Sequence, residues 1–271
     1  HPRIPLLLTL QEGDSEAHIL SRVGVFYPLW RLLFGKADYL QCISTYLADF
    51  GRRHGANCPI EVIPNGIDAV KLTKAYDPNE LIILKRQLGI KPTEKVIITT
   101  SRLVYKNAVD ILIQSIAFLK SKQMNLKCLV VGSGPGEEDL KQLTQSLGVA
   151  REVVFIGGVL PDEIPKYLKI SNIFVRPSRS EGMGNSFIEA MAAGIPVIGT
   201  PVGGIFDFLK DSQAGLFCKK DDPEDLAAKI RLVLTDSALY SRLSRKGREF
   251  ALKNYSWDLI AERMGKIFSN I

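Results

Sequence analysis

The sequence predicts an α/β protein: one complete doubly wound parallel sheet, preceded by part of another. Three observations predict it. Short apolar runs alternate with longer amphipathic stretches, as parallel strands joined by helices do. Six of those runs fall between residues 95 and 218, enough for a full sheet, while three precede residue 65, enough for half of one. Several runs in the second group end in glycine-rich stretches, where the ligands of doubly wound sheets bind.

From the N-terminus, the first strand candidates are "PLLLTL" (5–10), "YLQCIS" (39–44) and "IEVIP" (60–64), separated by helical patterns at about 15–35 and 45–54. "PNGID" (64–68), with its Asn-Gly turn pair, opens a polar run that reaches Pro78 and reads as a boundary. The clearest strands follow: "KVIITTS" (95–101), "KCLVVG" (127–132), "EVVFIG" (152–157), "NIFVRP" (172–177) and "IPVIGT" (195–200), with a weaker "GLFC" (215–218). Helices are expected near 107–122, 137–147, 161–170, 186–194 and 204–210. Beyond "DPEDLAAKIRLVLTD", the tail 237–271 is helical with a break at "NYSW". In its last part Trp257, Ile260, Met264 and Ile267 recur at helical spacing, which suits packing against the preceding domain or against the first one.

A chain of 271 residues that is 46% hydrophobic can bury substantial cores. No run of eighteen uncharged apolar residues is present, and the opening "HPRIPLLLTLQEGD" lacks the features of a signal peptide. Cys42, Cys58, Cys128 and Cys218 have no CxxC spacing, which suits reduced, mostly buried thiols and a cytoplasmic location. The net charge of +6 is uneven: residues 1–70 hold 6 basic against 7 acidic side chains, the remainder 29 against 22. That imbalance favours an anionic ligand or a membrane surface. The basic residues are not clustered with aromatics, which argues against nucleic acid. His18 and His54 lie in helical stretches and read as surface residues, His1 is terminal, and no acidic or histidine cluster has metal-ligand spacing.

The stretch "RSEGMGNSFIEAMAAG" carries the chemistry. A strand delivers Glu181 and the glycines Gly182 and Gly184 into the crevice, and a helix opens immediately afterwards. The free N–H groups and positive dipole end of that helix suit a diphosphate or a polar sugar. The glycines let a ligand approach where a Cβ would obstruct it. Glu189, one turn into the helix, either holds a diol such as a ribose or closes a capping box with Ser186. Arg176 either neutralises a phosphate or pairs with Glu181. Arg102 and Lys106 follow another strand and offer two cations to a diphosphate.

On these residues the chain resembles the family 4 retaining glycosyltransferases of GT-B fold, built from two Rossmann-like domains. "SEGMGNSFIEAMAAGIPVI" is similar to their E-x7-E signature, "IPNGID" to their interdomain segment, "TSRLVYKN" to their phosphate motif, "VVGSGPGEEDL" to their strand–glycine loop–helix, and "TPVGG" to their last glycine pair. The resemblance implies Glu181, Arg102 and Lys106 as catalytic residues. It implies nucleotide-sugar contacts for Glu189, Gly182, Met183, Gly184, Asn185, Ser186 and Gly134. It further implies sugar transfer with retention, no metal or other cofactor, a UDP- or GDP-linked donor, and a sugar or lipid-linked acceptor. A lipid acceptor would bring peripheral contact with the inner membrane face.

The same resemblance divides the chain into a partial acceptor-side domain (1–64), a linker (65–78), a nucleotide-sugar domain (79–254) and a C-terminal helix crossing back (255–271). Ser101 and Asn107 replace the family's usual glycines, and Gln11 and Glu12 stand where many relatives carry a histidine facing the donor sugar. Residues 5–64 correspond to the later part of the family's first domain, so an N-terminally truncated gene product is expected. A fragment that binds the nucleotide without catalysis is the alternative function.

Overall fold

The computed structural model describes residues 4–270; His1 and the last residue of the expected closing helix, Ile271, lie outside the described residues. The chain folds around two parallel sheets. The first has the order β1 (Leu7–Leu10), β2 (Tyr39–Cys42), β3 (Ile60–Val62), with α1 (Glu16–Val23), α2 (Tyr27–Lys36) and α3 (Thr45–Arg53) between them. After it come two helices within and beyond the expected linker, α4 (Ala69–Thr73) and α5 (Pro78–Gln87). Both start on an aspartate cap: Asp68 accepts from Lys71 N at 3.0 Å and Asp77 from Asn79 N at 2.9 Å. Residues read as a turn-forming polar run are therefore helix starts.

The second sheet contains β4 (Lys95–Thr100), β5 (Leu126–Val131), β6 (Val153–Gly157), β7 (Ile173–Arg176), β8 (Val197–Gly199) and β9 (Gly215–Phe217). The intervening helices are α6 (Val109–Ser121), α7 (Glu137–Ser146), α8 (Ile164–Lys169), α9 (Asn185–Ala192), α10 (Ile205–Ser212) and α11 (Pro223–Thr235). Its strand order is β6-β5-β4-β7-β8-β9, so the winding reverses between β4 and β7. That reversal opens a crevice at the carboxyl ends of these two strands. The four central strands β5, β4, β7 and β8 bury both faces, as a parallel sheet covered by helices must. In β4, Ile97 lies in one core with residues of α6 and α11, while Val96 and Ile98 lie in the other with residues of α9.

Among the contacts that bind the sheets together, two lie away from the crevice. At the start of α10, Asp207 accepts from Thr45 N at 2.7 Å and from the Thr45 hydroxyl, capping α3 of the first sheet from 162 residues away. After α12 (Ser237–Asn254), α13 (Trp257–Asn270) returns to the first sheet. Its Ile260, Met264 and Ile267 pack with Leu7, Tyr39 and Ile63, and Arg263 donates to the Val62 carbonyl at 2.6 Å. Of the two packings open to this helix from its periodicity, the structure takes the one against the first sheet.

His54 is not the surface residue that its helical position suggested. It is 4% exposed, enclosed by Trp30, Phe34 and Phe50, and its ring nitrogens meet Tyr27 Oη at 3.1 Å and Glu16 Oε1 at 3.0 Å. Cys42, Cys128 and Cys218 are buried, and burial pushes each of their thiols up to about 12. Among the described residues no helix is long and apolar enough to cross a membrane.

Candidate functional site

The loops after β4 and β7 meet at the point where the strand order reverses. The first, residues 101–107, is pinned from within by Asn107, whose Nδ2 donates to the Arg102 carbonyl at 2.6 Å. From outside it is held by Arg179, on the second loop. The Arg179 guanidinium donates to Asp110 at 2.6 and 2.9 Å and to Asp221 at 2.7 Å, and it stacks 4.1 Å over the Tyr105 ring. Its backbone N–H donates to the Lys106 carbonyl at 2.7 Å. The Asp110 hydrogen bonds, against the opposing effect of burial, hold Arg179 above the ordinary arginine range. Sequence reading passed over Arg179, although its position between Arg176 and Glu181 in the same loop was a signal.

In the second loop, Arg176 is 7% exposed and pairs with Glu181, which resolves its open reading in favour of the ion pair. Its other guanidinium nitrogen donates to Ser186 Oγ at 2.9 Å, and its plane lies 5.0 Å over the Phe187 ring. Glu181 Oε1 also accepts from Gly182 N at 3.0 Å. Helix α9 starts one residue earlier than expected, with Gly184 as its cap in the left-handed region at φ 94°. Ser186 therefore lies inside the helix and cannot serve as its cap, so the capping box does not form. Among the described residues no hydrogen bond or ion pair engages the Glu189 carboxylate. Burial raises it above its ordinary value of 4.5, with the charge of Arg176 opposing.

The glycines of this loop are needed by the protein's own packing. A Cβ on Gly182 would strike the Glu12 carbonyl of the loop after β1, and one on Gly184 would stand 2.9 Å from the Phe187 ring. Gly134 behaves similarly: a Cβ there would stand 2.7 Å from Leu103 N, where the loop after β5 crosses the loop after β4. At these positions neighbouring backbone and ring atoms already approach closely.

A cavity of about 380 Å3 opens over α9. Glu181, Gly182, Met183, Gly184, Asn185, Ser186 and Glu189 line it, joined by Arg176, Thr100, Gln11, Gly13, Ile43 and Asn65. Asn65 N donates to Met183 Sδ at 3.3 Å, and its side-chain amide donates to Asn185 Oδ1 at 3.5 Å, so the segment between the sheets forms a wall of the site. Arg102 and Lys106 line a neighbouring cavity of about 680 Å3, with Asp14, His18 and Lys220 among its other walls. Gly134 lines neither cavity. Gly13 stands between the two: a Cβ there would lie 3.3 Å from Lys106 Nζ and 3.6 Å from Glu181 Oε1. The Lys106 hydrogen bond at 2.6 Å, against burial and with help from His18 and Arg22, holds the Asp14 carboxyl below its ordinary value of 3.8. Among the described residues no group of three or more His, Cys, Asp or Glu side chains is placed to hold a metal ion.

The chain can now be set beside known proteins. An uncharacterised glycosyltransferase of Methanocaldococcus jannaschii is 31% identical over 209 residues, 77% of this chain and 53% of that protein. The GDP-mannose-dependent alpha-(1-6)-phosphatidylinositol monomannoside mannosyltransferase of Mycolicibacterium smegmatis is 27% identical over 257 residues, 92% of this chain and 66% of that one. The chain thus spans between about half and two thirds of the length of these relatives. In fold it is similar to the crystal structure of Anabaena Alr3699/HepE in complex with UDP and glucose. The TM-score is 0.87 at 23% identity, over 98% of this chain and 72% of that one. The paired parallel sheets are those of the GT-B fold. The family model described as glycosyl transferases group 1 matches residues 82–250, and to that family the chain belongs.

Proposed function

We propose that this chain is the donor-binding part of a glycosyltransferase that moves a sugar from a UDP- or GDP-linked donor to a sugar or lipid-linked acceptor, with retention of configuration and without a metal ion. The observation that carries the reading is Glu189: a carboxylate in the first turns of α9 that faces the cavity without a protein partner. It is free to accept both hydroxyls of a ribose. The N-terminal turn of α9 then meets the diphosphate, and Arg102 and Lys106 stabilise the charge that develops on the leaving group. Glu181, oriented by Arg176 and Gly182 N, is the carboxylate assigned to the sugar side.

In this reading residues 79–254 hold the nucleotide sugar, 1–64 carry part of the acceptor side, 65–78 link them and 255–271 tie the two together. Family membership and the binding of UDP and glucose by the structurally similar Anabaena protein support it. A lipid-linked acceptor, as in the phosphatidylinositol mannoside relative, would make the enzyme peripheral at the inner membrane face.

The test is calorimetric titration of UDP, GDP and ADP, then of their sugar conjugates. One diphosphate is expected to bind tightly, with affinity reduced at least about 10-fold in Glu189→Ala. Equal affinity in that variant would remove the site assignment. Acceptor-dependent sugar release separates the transferase from a fragment that only binds.

A further inference from the structure

We propose that Asp14 is a counter-ion that holds the place of a phosphate on Lys106, so that nucleoside diphosphates bind by displacing it. The inference rests on the reading of Lys106 as a diphosphate cation. Lys106 Nζ lies 2.6 Å from Asp14 Oδ1 and 4.0 Å from Glu12 Oε1, and these are its ion pairs among the described residues. The carboxylates sit on the loop after β1 and the lysine on the loop after β4, so the contact joins the two sheets across 92 residues.

The local geometry presents Asp14 to the lysine. Glu12 folds its carboxylate back onto its own loop, accepting from Gly13 N at 2.6 Å and Asp14 N at 2.7 Å. Ser180 Oγ fixes the loop from the other side by donating to the Gly13 carbonyl at 2.9 Å. Asp14 is thereby left to meet Lys106. Arg102 lines the same cavity with no side-chain partner among the described residues. One cation of the pair is thus open to a ligand and the other is occupied. A diphosphate that reaches Arg102 exchanges one anion for another on the ammonium, so Lys106 keeps a counter-charge throughout. The two side chains are 35% and 27% exposed, so the released carboxylate passes directly into water. A nucleoside, which carries no phosphate, never enters this competition.

The experiment is titration of UDP, GDP, pyrophosphate, uridine and guanosine into the wild type, Asp14→Asn, Asp14→Glu, Lys106→Ala and the Asp14→Asn/Lys106→Ala double variant. Asp14→Asn is expected to tighten the diphosphates roughly 3- to 10-fold and leave the nucleosides unchanged. The gain vanishes on the Lys106→Ala background, and Asp14→Glu stays within about 2-fold of the wild type. Unchanged or weaker diphosphate binding in Asp14→Asn, with Lys106→Ala still weakened, overturns the counter-ion role and leaves the phosphate role of Lys106 standing. Equal tightening of nucleosides also overturns it, because the loop would then act on the whole site. If Lys106→Ala leaves diphosphate affinity unchanged, or no variant binds a diphosphate, both readings fall together.

Discussion

Along β4, β5, β7 and β8 nearly every side chain is buried, whereas β1 and β3 hold none that is. Large exposed apolar side chains are also uneven: Ile4, Leu6, Val25, Phe26, Leu29, Leu32 and Leu33 all belong to the first 36 residues. The six-stranded sheet covers both of its faces with helices from its own stretch of chain. The three-stranded sheet covers one face with α3 and borrows α13 for the other. Yet this less enclosed part supplies Gln11, Gly13, Ile43 and Asn65 to the cavity over α9. The site is therefore a joint product of a self-sufficient sheet and a dependent one, and its shape follows the stability of the weaker partner.

Substitutions can break or sharpen that contrast. The largest effect is expected at Phe187, which packs against Phe174, Phe208 and the Arg176 guanidinium. Phe187→Ala should cost about 3–5 kcal/mol in urea denaturation and abolish ligand binding with it. Next comes Ile267→Ala, at about 2–4 kcal/mol, expected as faster hydrogen exchange in β1, β2 and β3 while β4 and β5 stay protected. Equal acceleration in both sheets would show one cooperative unit and end the distinction.

Glu189→Gln should act in the opposite sense, raising Tm by about 2–4 °C at neutral pH while weakening nucleotide binding. The sign follows from burial: a carboxylate raised above 4.5 destabilises the fold when ionised. The advantage of the variant is therefore full above the raised value and gone below pH 4.5, which melts across that range will check. The smallest effect is expected for Asp207→Asn, which weakens the cap on Thr45 by about 0.5–1 kcal/mol in denaturant titrations. If the shape of the cavity depends on that cap, nucleotide affinity falls with it.

Much of this was legible in the sequence because short apolar runs alternating with amphipathic stretches report strands joined by helices. The run "KVIITTS" was recognisable as the strand that became β4, and the run that contains Arg176 pointed to the crevice. What stayed hidden depends on partners distant in the chain. No spacing rule brings Asp14 to Lys106, or the Glu12 carbonyl to the α-carbon of Gly182. The capping-box pattern at Ser186 was present, but a glycine in the left-handed region, Gly184, took the cap two residues earlier. His54 looked like a surface residue because the aromatic side chains that enclose it include two from α2, about twenty residues upstream.

The return of α13 has a consequence for biosynthesis. Arg263 meets Glu61 across 202 residues of chain. At the usual pace of translation, about 5–20 residues per second, β1 to β3 emerge some 10–40 seconds before the helix that covers them. During that interval Leu7, Tyr39 and Ile63 face water or a chaperone, with a long loop still to close. A segment made early is thus sealed by one made about two hundred residues later.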